Sequence, residues 1–225
     1  MLQGLVAEAQ PILEEAVELD RRLGGGQHPE LARALENLGN VHYRLGNLDR
    51  TLELLGEVIT IRREGLGDDS PEVARTLNNR GMVLSRAGDL EGAEATLRDA
   101  VARMERAYGP DHSDVASAHW SLGYVLQLRG KLDQAEAELR TALAIAERAF
   151  AADSPALGGF RQALGGLLVT RQRYRDAEPL LLAVHESAVA ADGEDSPRTA
   201  ATAGALVALY EAWGKPDEAE RYRRE

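Results

Sequence analysis

The side chains best suited to chemistry in this chain are those of recognition. Amides, guanidiniums and rings gather at Arg33, Asn37, Asn40, Tyr43, Arg44, Arg75, Asn78, Asn79, Arg86, Trp120 and Tyr124. An asparagine carries both a donor and an acceptor, so it can pair with an extended peptide backbone whatever its sequence. A guanidinium can grip a carboxylate through two parallel hydrogen bonds. Aromatic rings are frequent anchors at protein interfaces. Each type also has a plainer use. Asparagine can cap or bridge helices, and Trp120 can pack between structural elements as readily as it can face a partner.

Catalytic and metal-binding constellations are not evident. His28, His42, His112, His119 and His185 show no close ligand spacing, whereas a zinc site needs three or four converging ligands. Serine, histidine and aspartate occur without any sign of a convergent pocket. Gly24-Gly25-Gly26 has no strand before it and no Gly-Lys-Ser or Gly-Lys-Thr after it, so it reads as a turn and not a phosphate loop. There is no cysteine, hence no disulfide and no thiolate ligand. The chain is expected to be non-enzymatic and to carry no cofactor and no metal.

What positions the recognition side chains is a repeat. Pro29, Pro71, Pro155 and Pro197 are separated by 42, 84 and 42 residues, with Ser113 at the vacant place in the series. The same period of 42 links Gly46, Gly88, Gly130, Gln172 and Gly214, and again Thr51, Ala93, Ala135, Ala177 and Ala219. A fixed period of this length marks a stacked array, which grows by adding units and not by enlarging one core. Composition agrees: hydrophobic residues are 44% and aromatics only 4% of 225 residues, a balance that favours helices over strands.

Each period reads as two helices. Ser70-Pro71, Ser154-Pro155 and Ser196-Pro197 place a capping oxygen before a proline in the first turn, with His28-Pro29 and His112-Ser113 in the same register. The Ser-Pro pairs are therefore read as helix starts before they are read as modification sites. The first helix ends at the glycine of Leu45-Gly46, Ala87-Gly88, Arg129-Gly130 or Trp213-Gly214. A second helix follows and breaks at Leu66-Gly67 or Tyr108-Gly109. Each is about 17–18 residues, or roughly 26 Å long. Gly39, Gly81, Gly123 and Gly165 recur in mid-helix, where glycine costs about 1 kcal/mol against alanine. A packing reason is implied, with the Ala93 series as small partners. Leu38, Leu122, Leu164 and Leu206 fill in on first helices, and Leu13, Leu55, Leu97, Leu139 and Leu181 on second helices; Arg80 departs from the first set. The glutamates of the second helices read as a solvated face with pairs at i, i+4.

These columns resemble the tetratricopeptide repeat, in particular its 42-residue kinesin-light-chain-like form. Asn37-Leu38-Gly39-Asn40-Val41-His42-Tyr43-Arg44-Leu45-Gly46 is similar to the family's first helix, and Lys131-Leu132-Asp133-Gln134-Ala135-Glu136 to the start of its second. The gap-free register and small-residue columns favour it over HEAT or armadillo repeats. The resemblance covers essentially the whole chain. It implies an all-α fold, a right-handed superhelical solenoid of antiparallel helix pairs. The expected division is residues 1–27 as the second helix of an incomplete repeat, repeats over 28–69, 70–111, 112–153 and 154–195, and a partial repeat over 196–225. Ends that fall in mid-repeat suggest an excised fragment of a longer protein, or an end that packs on something else.

The resemblance also implies that first helices line a concave face. The side chains left for that face, once packing positions are removed, are Arg33, Glu36, Asn37, Asn40, Tyr43 and Arg44; Arg75, Asn78, Asn79, Met82 and Arg86; Trp120, Ser121, Tyr124 and Gln127; and Gln162. The last repeat offers mainly Ala201, Gly204, Ala205 and Ala208. Asn37 and Asn79 resemble the family's groove asparagines. Some relatives grip a C-terminal carboxylate with lysine, arginine and asparagine; Asn40 and Asn79 match two of those places, but Glu36, Ser117 and Ser121 stand where cations are expected.

Charge defines the partner expected. The net charge of −11 disfavours nucleic acid, which calls for a basic surface. The five first-helix windows beginning at residues 28, 70, 112, 154 and 196 total +4, leaving −15 for the rest. A neutral to mildly acidic protein or peptide is the expected ligand. No apolar stretch approaches a membrane span and no secretory leader is visible, so the chain is expected to be soluble and cytoplasmic, with no membrane partner. Arginine far outnumbers lysine, present only at Lys131 and Lys215, as in a GC-rich bacterial genome. Two functions stand side by side: a protein–protein interaction scaffold, and a regulatory domain of a larger bacterial signalling protein containing a nucleotide-binding switch, a caspase-like protease or a kinase. End-to-end self-association through Leu5, Ile12 and the last helix is a further expectation.

Overall fold

The computed structural model describes residues 2–24, 29–151 and 154–223. Among them are eleven helices and no strand. The chain divides into two compact units, residues 1–110 and 111–225. The first holds α1 (Leu2–Gly24), α2 (Pro29–Arg44), α3 (Leu48–Leu66), α4 (Pro71–Arg86) and α5 (Leu90–Tyr108). The second holds α6 (Ser113–Leu128), α7 (Leu132–Ala149), α8 (Leu157–Thr170), α9 (Tyr174–Asp192), α10 (Pro197–Ala212) and α11 (Pro216–Arg223). Even-numbered helices are the first helices of the sequence period and odd-numbered helices the second. Within each unit every helix packs on its neighbours in sequence, the all-α stack of helix pairs that the period predicts. His28, Gly25 and Gly26 lie outside the described residues, as does the side chain of Leu5.

The helix ends follow from local chemistry. Ser70 accepts from the Val73 amide at 3.3 Å and Ser196 from the Thr199 amide at 3.0 Å. His112 caps α6 with its ring, Nδ1 accepting from the Asp114 amide at 3.1 Å. Ser154 differs. Its hydroxyl accepts from the Ala156 amide at 3.3 Å and its carbonyl from Leu157 at 3.1 Å, so Pro155 and Ala156 form a turn and α8 begins only at Leu157. Between first and second helices Gly46, Gly88, Gly130 and Gly214 all have φ between 73° and 91°. Gln172 holds the same left-handed position at φ 59°, alone among described non-glycine residues, at a steric cost a glycine would not bear.

In the first unit the core runs as overlapping three-helix contacts. Val17 of α1, Leu31, Ala32, Leu35 and Leu38 of α2, and Leu54, Val58 and Ile61 of α3 form one buried cluster. Ile59, Val73, Leu77 and Ala100 continue it across α3, α4 and α5. The leucines at 122, 164 and 206 are buried likewise.

The glycine column splits into two kinds. A Cβ on Gly81 would lie 2.5 Å from Leu97 Cγ; on Gly123, 2.8 Å from Leu139 Cγ; on Gly165, 2.8 Å from Leu181 Cδ2. The carbonyls of Ala93 and Ala135 lie 3.4 and 3.3 Å from the first two of those places. At these three positions the packing reason inferred from sequence holds, with leucine pressed onto glycine. Gly39 is otherwise: a Cβ there would meet only Leu54 Cβ, at 3.8 Å. Thr51 occupies the alanine column at this repeat, and its hydroxyl reaches the Asn47 carbonyl at 3.0 Å and the Gly39 carbonyl at 3.4 Å. The branched residue stands between the helices where alanine stands elsewhere, and Leu55 does not cover Gly39.

Two of the second-helix glutamates depart from expectation. Glu94 and Glu136 are only 2% and 4% exposed, not solvated. Each pairs with the arginine one turn on, Arg98 and Arg140. Glu136 further receives Arg171 at 2.7 Å and Arg173 at 2.5 Å, from the turn joining α8 to α9. A buried carboxylate persists only with such partners. One period on, Glu178 accepts the Tyr210 hydroxyl at 2.9 Å. The Tyr210 ring stacks on Trp213 and Tyr222. Burial, and then the Glu178 carboxylate, hold its hydroxyl well above the ordinary phenol range.

Candidate functional site

In the first unit, the residues singled out by type fall on adjoining faces of α2 and α4. Asn40 and Tyr43 of α2 meet Asn79 and Met82 of α4 around one pocket of about 240 Å³, completed by Glu36, Gly39, Thr51, Leu55 and Val83. The floor is therefore the uncovered Gly39. Asn40 and Asn79 are exposed at its edge, while Tyr43 and Met82 are half-buried. The Arg86 guanidinium lies 4.4 Å from the centre of the Tyr43 ring, a cation–π contact that joins the two helices and stiffens the wall.

Charge at this face is also arranged. Glu36, which stands where the carboxylate-gripping relatives need a cation, is neutralised by Arg62 of α3, with contacts of 2.7 and 3.3 Å. Arg62 in turn donates to the Thr76 hydroxyl and to the Glu72 carbonyl. Arg33 lines a neighbouring pocket of about 300 Å³ with Pro29, Glu36, Ile61, Arg62 and Glu72. Asn37, Arg44 and Arg75 are exposed on the same helices, and Arg75 lies 3.7 Å from Glu72 on its own helix. Asn78 is half-buried, and its Oδ1 has no hydrogen-bond partner.

In the second unit the candidates divide. Trp120 and Tyr124, one turn apart on α6, stack with centroids 6.0 Å apart and planes at 8°. Tyr124 is exposed and Trp120 half-buried, its Nε1 buried without a hydrogen-bond partner. Gln127 is half-buried and Gln162 exposed. Ser121 is not on the open face: it is buried and donates to the Ser117 carbonyl at 3.0 Å. The serine points back along its helix because its short side chain can satisfy itself only there. Of the last repeat's small residues, Ala201, Gly204 and Ala208 are exposed and Ala205 half-buried.

Sequence reasoning did not find the contribution of Gly39, Thr51 and Leu55, which it assigned to packing. The visible signal was Thr51, the one threonine in a column of alanines. The buried histidines serve structure: His119 Nδ1 lies 2.6 Å from Glu138, and His185 Nδ1 3.0 Å from the Thr202 hydroxyl. No group of three or more metal-ligating side chains comes together among the described residues. No helix among them is long and apolar enough to cross a membrane.

Paired helices on a fixed period, glycine-spaced and closed by left-handed turns, define a helical-repeat solenoid whose first helices display amides, rings and guanidiniums. The tetratricopeptide-repeat profile matches residues 1–64, 33–106, 72–148 and 159–225, and the chain belongs to that family. No curated protein sequence matches it significantly. Among solved structures, BtubC (BKLC) from P. vanneervenii superposes with a TM-score of 0.85 at 18% identity, over 97% of this chain and 90% of that one. Kinesin-light-chain TPR-like repeats from Podosopora anserina give 0.77 at 20% identity, over 88% and 94%. A Rap conjugation gene regulator of the plasmid pLS20, in complex with the Phr* peptide, gives 0.70 at 19% identity, over 98% of this chain and 58% of that one. At these identities the likeness is one of fold.

Proposed function

We propose that the chain is a protein–protein interaction scaffold that holds a peptide or helix of a partner against its first-helix faces, in the concave groove of the repeat array. The observation that carries this is the α2–α4 pocket, where Asn40, Tyr43, Asn79 and Met82 come together around one opening. Two exposed amides at an apolar recess combine backbone pairing with a side-chain anchor, the usual division of labour in peptide recognition. Preformed helices reduce the ordering cost of binding. The groove face is less acidic than the remainder of the chain, which favours a neutral to mildly acidic ligand. The arginine-rich, lysine-poor composition favours a bacterial source, and we place the protein in the cytoplasm.

A second reading is a regulatory or sensor domain of a larger signalling protein. It is supported by the fold shared with a peptide-bound gene regulator of which this chain spans 58%. End-to-end self-association is a third, favoured by Ile12 and Leu19, both exposed and two turns apart on α1.

The test is capture of partners from the source cell's lysate by the wild type and by the variant carrying Asn37→Ala, Asn79→Ala and Tyr124→Ala, with circular dichroism to establish that both are helical. A protein retained by the wild type and lost by the variant is the expected result. Equal capture by both would move binding to the second-helix face or the ends and overturn the groove.

A further inference from the structure

The three closed members of the glycine column show what the open one lacks. Above Gly81, Gly123 and Gly165 sits a leucine of the following helix, close enough that a methyl group there would have to displace it. Above Gly39 that place is empty, and the recess opens between Asn40 and Asn79. We infer that this is a side-chain specificity pocket, which takes a leucine or methionine of the partner into the place that Leu97, Leu139 and Leu181 occupy in their own repeats. The proposal rests on the groove reading and narrows it to one position of the ligand.

The occupant's chemistry follows from the lining. Gly39, Leu55, Met82 and Val83 supply the apolar contacts and Tyr43 a wall stiffened by Arg86. Such a cavity favours an unbranched or γ-branched aliphatic side chain, which reaches the floor without crowding at Cβ. Asn40 and Asn79 flank the opening, where the ligand's own backbone amide must pass. Charge complementarity fixes the neighbours of that side chain. Glu36 is neutralised by Arg62, and the Arg86 guanidinium over the Tyr43 ring is the cation placed against the lining. The ligand residue beside the leucine is therefore an aspartate or glutamate.

The experiment titrates the full chain with N-acetyl-aspartyl-leucine amide, N-acetyl-aspartyl-alanine amide and N-acetyl-lysyl-leucine amide, read by backbone and asparagine side-chain amide shifts. The aspartyl-leucine compound is expected to move Gly39, Asn40, Asn79 and Met82. Loss of the isobutyl group is expected to weaken binding about tenfold or more, and the lysyl compound to bind more weakly than the aspartyl one. Gly39→Leu fills the recess and abolishes these shifts. Gly39→Ala, which the backbone accommodates without a clash, keeps the fold and weakens binding. Equal affinity for the leucine and alanine compounds, an undiminished response in both Gly39 variants, or no response in the wild type overturns the pocket. Preference for the lysyl compound overturns the assigned charge. Because partner capture is measured with Asn37, Asn79 and Tyr124 changed and Gly39 intact, a pocket that fails while capture remains sensitive to those three leaves the groove standing; insensitive capture removes both.

Discussion

The helix pairs α2–α3 and α4–α5 carry glycine in the same column and put it to opposite uses. In α4–α5, Gly81 exists to admit Leu97, and the space is filled. In α2–α3, Gly39 admits nothing of its own chain, and the space opens outward. The small residue facing the glycine differs between the two pairs, Thr51 against Ala93. A repeat protein can thus keep its register and carry an open recess where a leucine packs in other repeats.

The largest effect that could break this comparison is Gly81→Ala. Its methyl must displace Leu97, at a cost of about 1–3 kcal/mol for overpacking, partly offset by alanine's better helix propensity of about 1 kcal/mol. A lowered denaturant midpoint is expected, with Gly123→Ala and Gly165→Ala moving the same way. Next comes coupling. Ala93→Thr alone copies the first pair into the second; placed beside Gly81→Ala, the two costs are expected to fall short of additive by about 1 kcal/mol in a double-mutant cycle. Strict additivity would mean that Thr51 is not the cause. Third, Gly39→Ala meets no obstacle and is expected to raise stability by roughly 0.4–1 kcal/mol. A loss there would show that the recess closes in solution.

The smallest effect contrasts two links in the glutamate column. The Glu136 link is ionic, whereas the Glu178 link uses the neutral Tyr210 hydroxyl. A phenol raised in the folded state contributes stability that is complete below its unfolded value of about 10 and is lost as pH climbs through the raised one. Tyrosinate absorbance should show Tyr210 ionising above the ordinary phenol range. Tyr210→Phe should cost about 0.5–1.5 kcal/mol at neutral pH and less at strongly alkaline pH.

Much of the fold was legible because periodicity is a property of position. Turn glycines, caps and leucine columns announce themselves by recurrence, and Gln172 keeps its place in the turn series, although its left-handed conformation had no glycine to signal it. Ser154 misled because its serine–proline pair matches two working caps while the chain beyond it enters a turn first. Glu94 and Glu136 misled because a glutamate reads as polar surface until its arginines are placed, and two of Glu136's partners come from more than thirty residues away. The recognition residues were legible by type. That Asn40, Tyr43, Asn79 and Met82 share a recess depended on a gap, and a gap has no letter of its own.

The Glu136 carboxylate has a consequence for how the second unit is built. It lies on α7, and its arginines at 171 and 173 sit at the far end of α8, ahead of α9. α7 thus offers a buried carboxylate socket that is closed by arginines entering from the turn between α8 and α9. Closing that socket fixes the reversal from which α9 departs, so the turn after α8 is held in place by the helix before it.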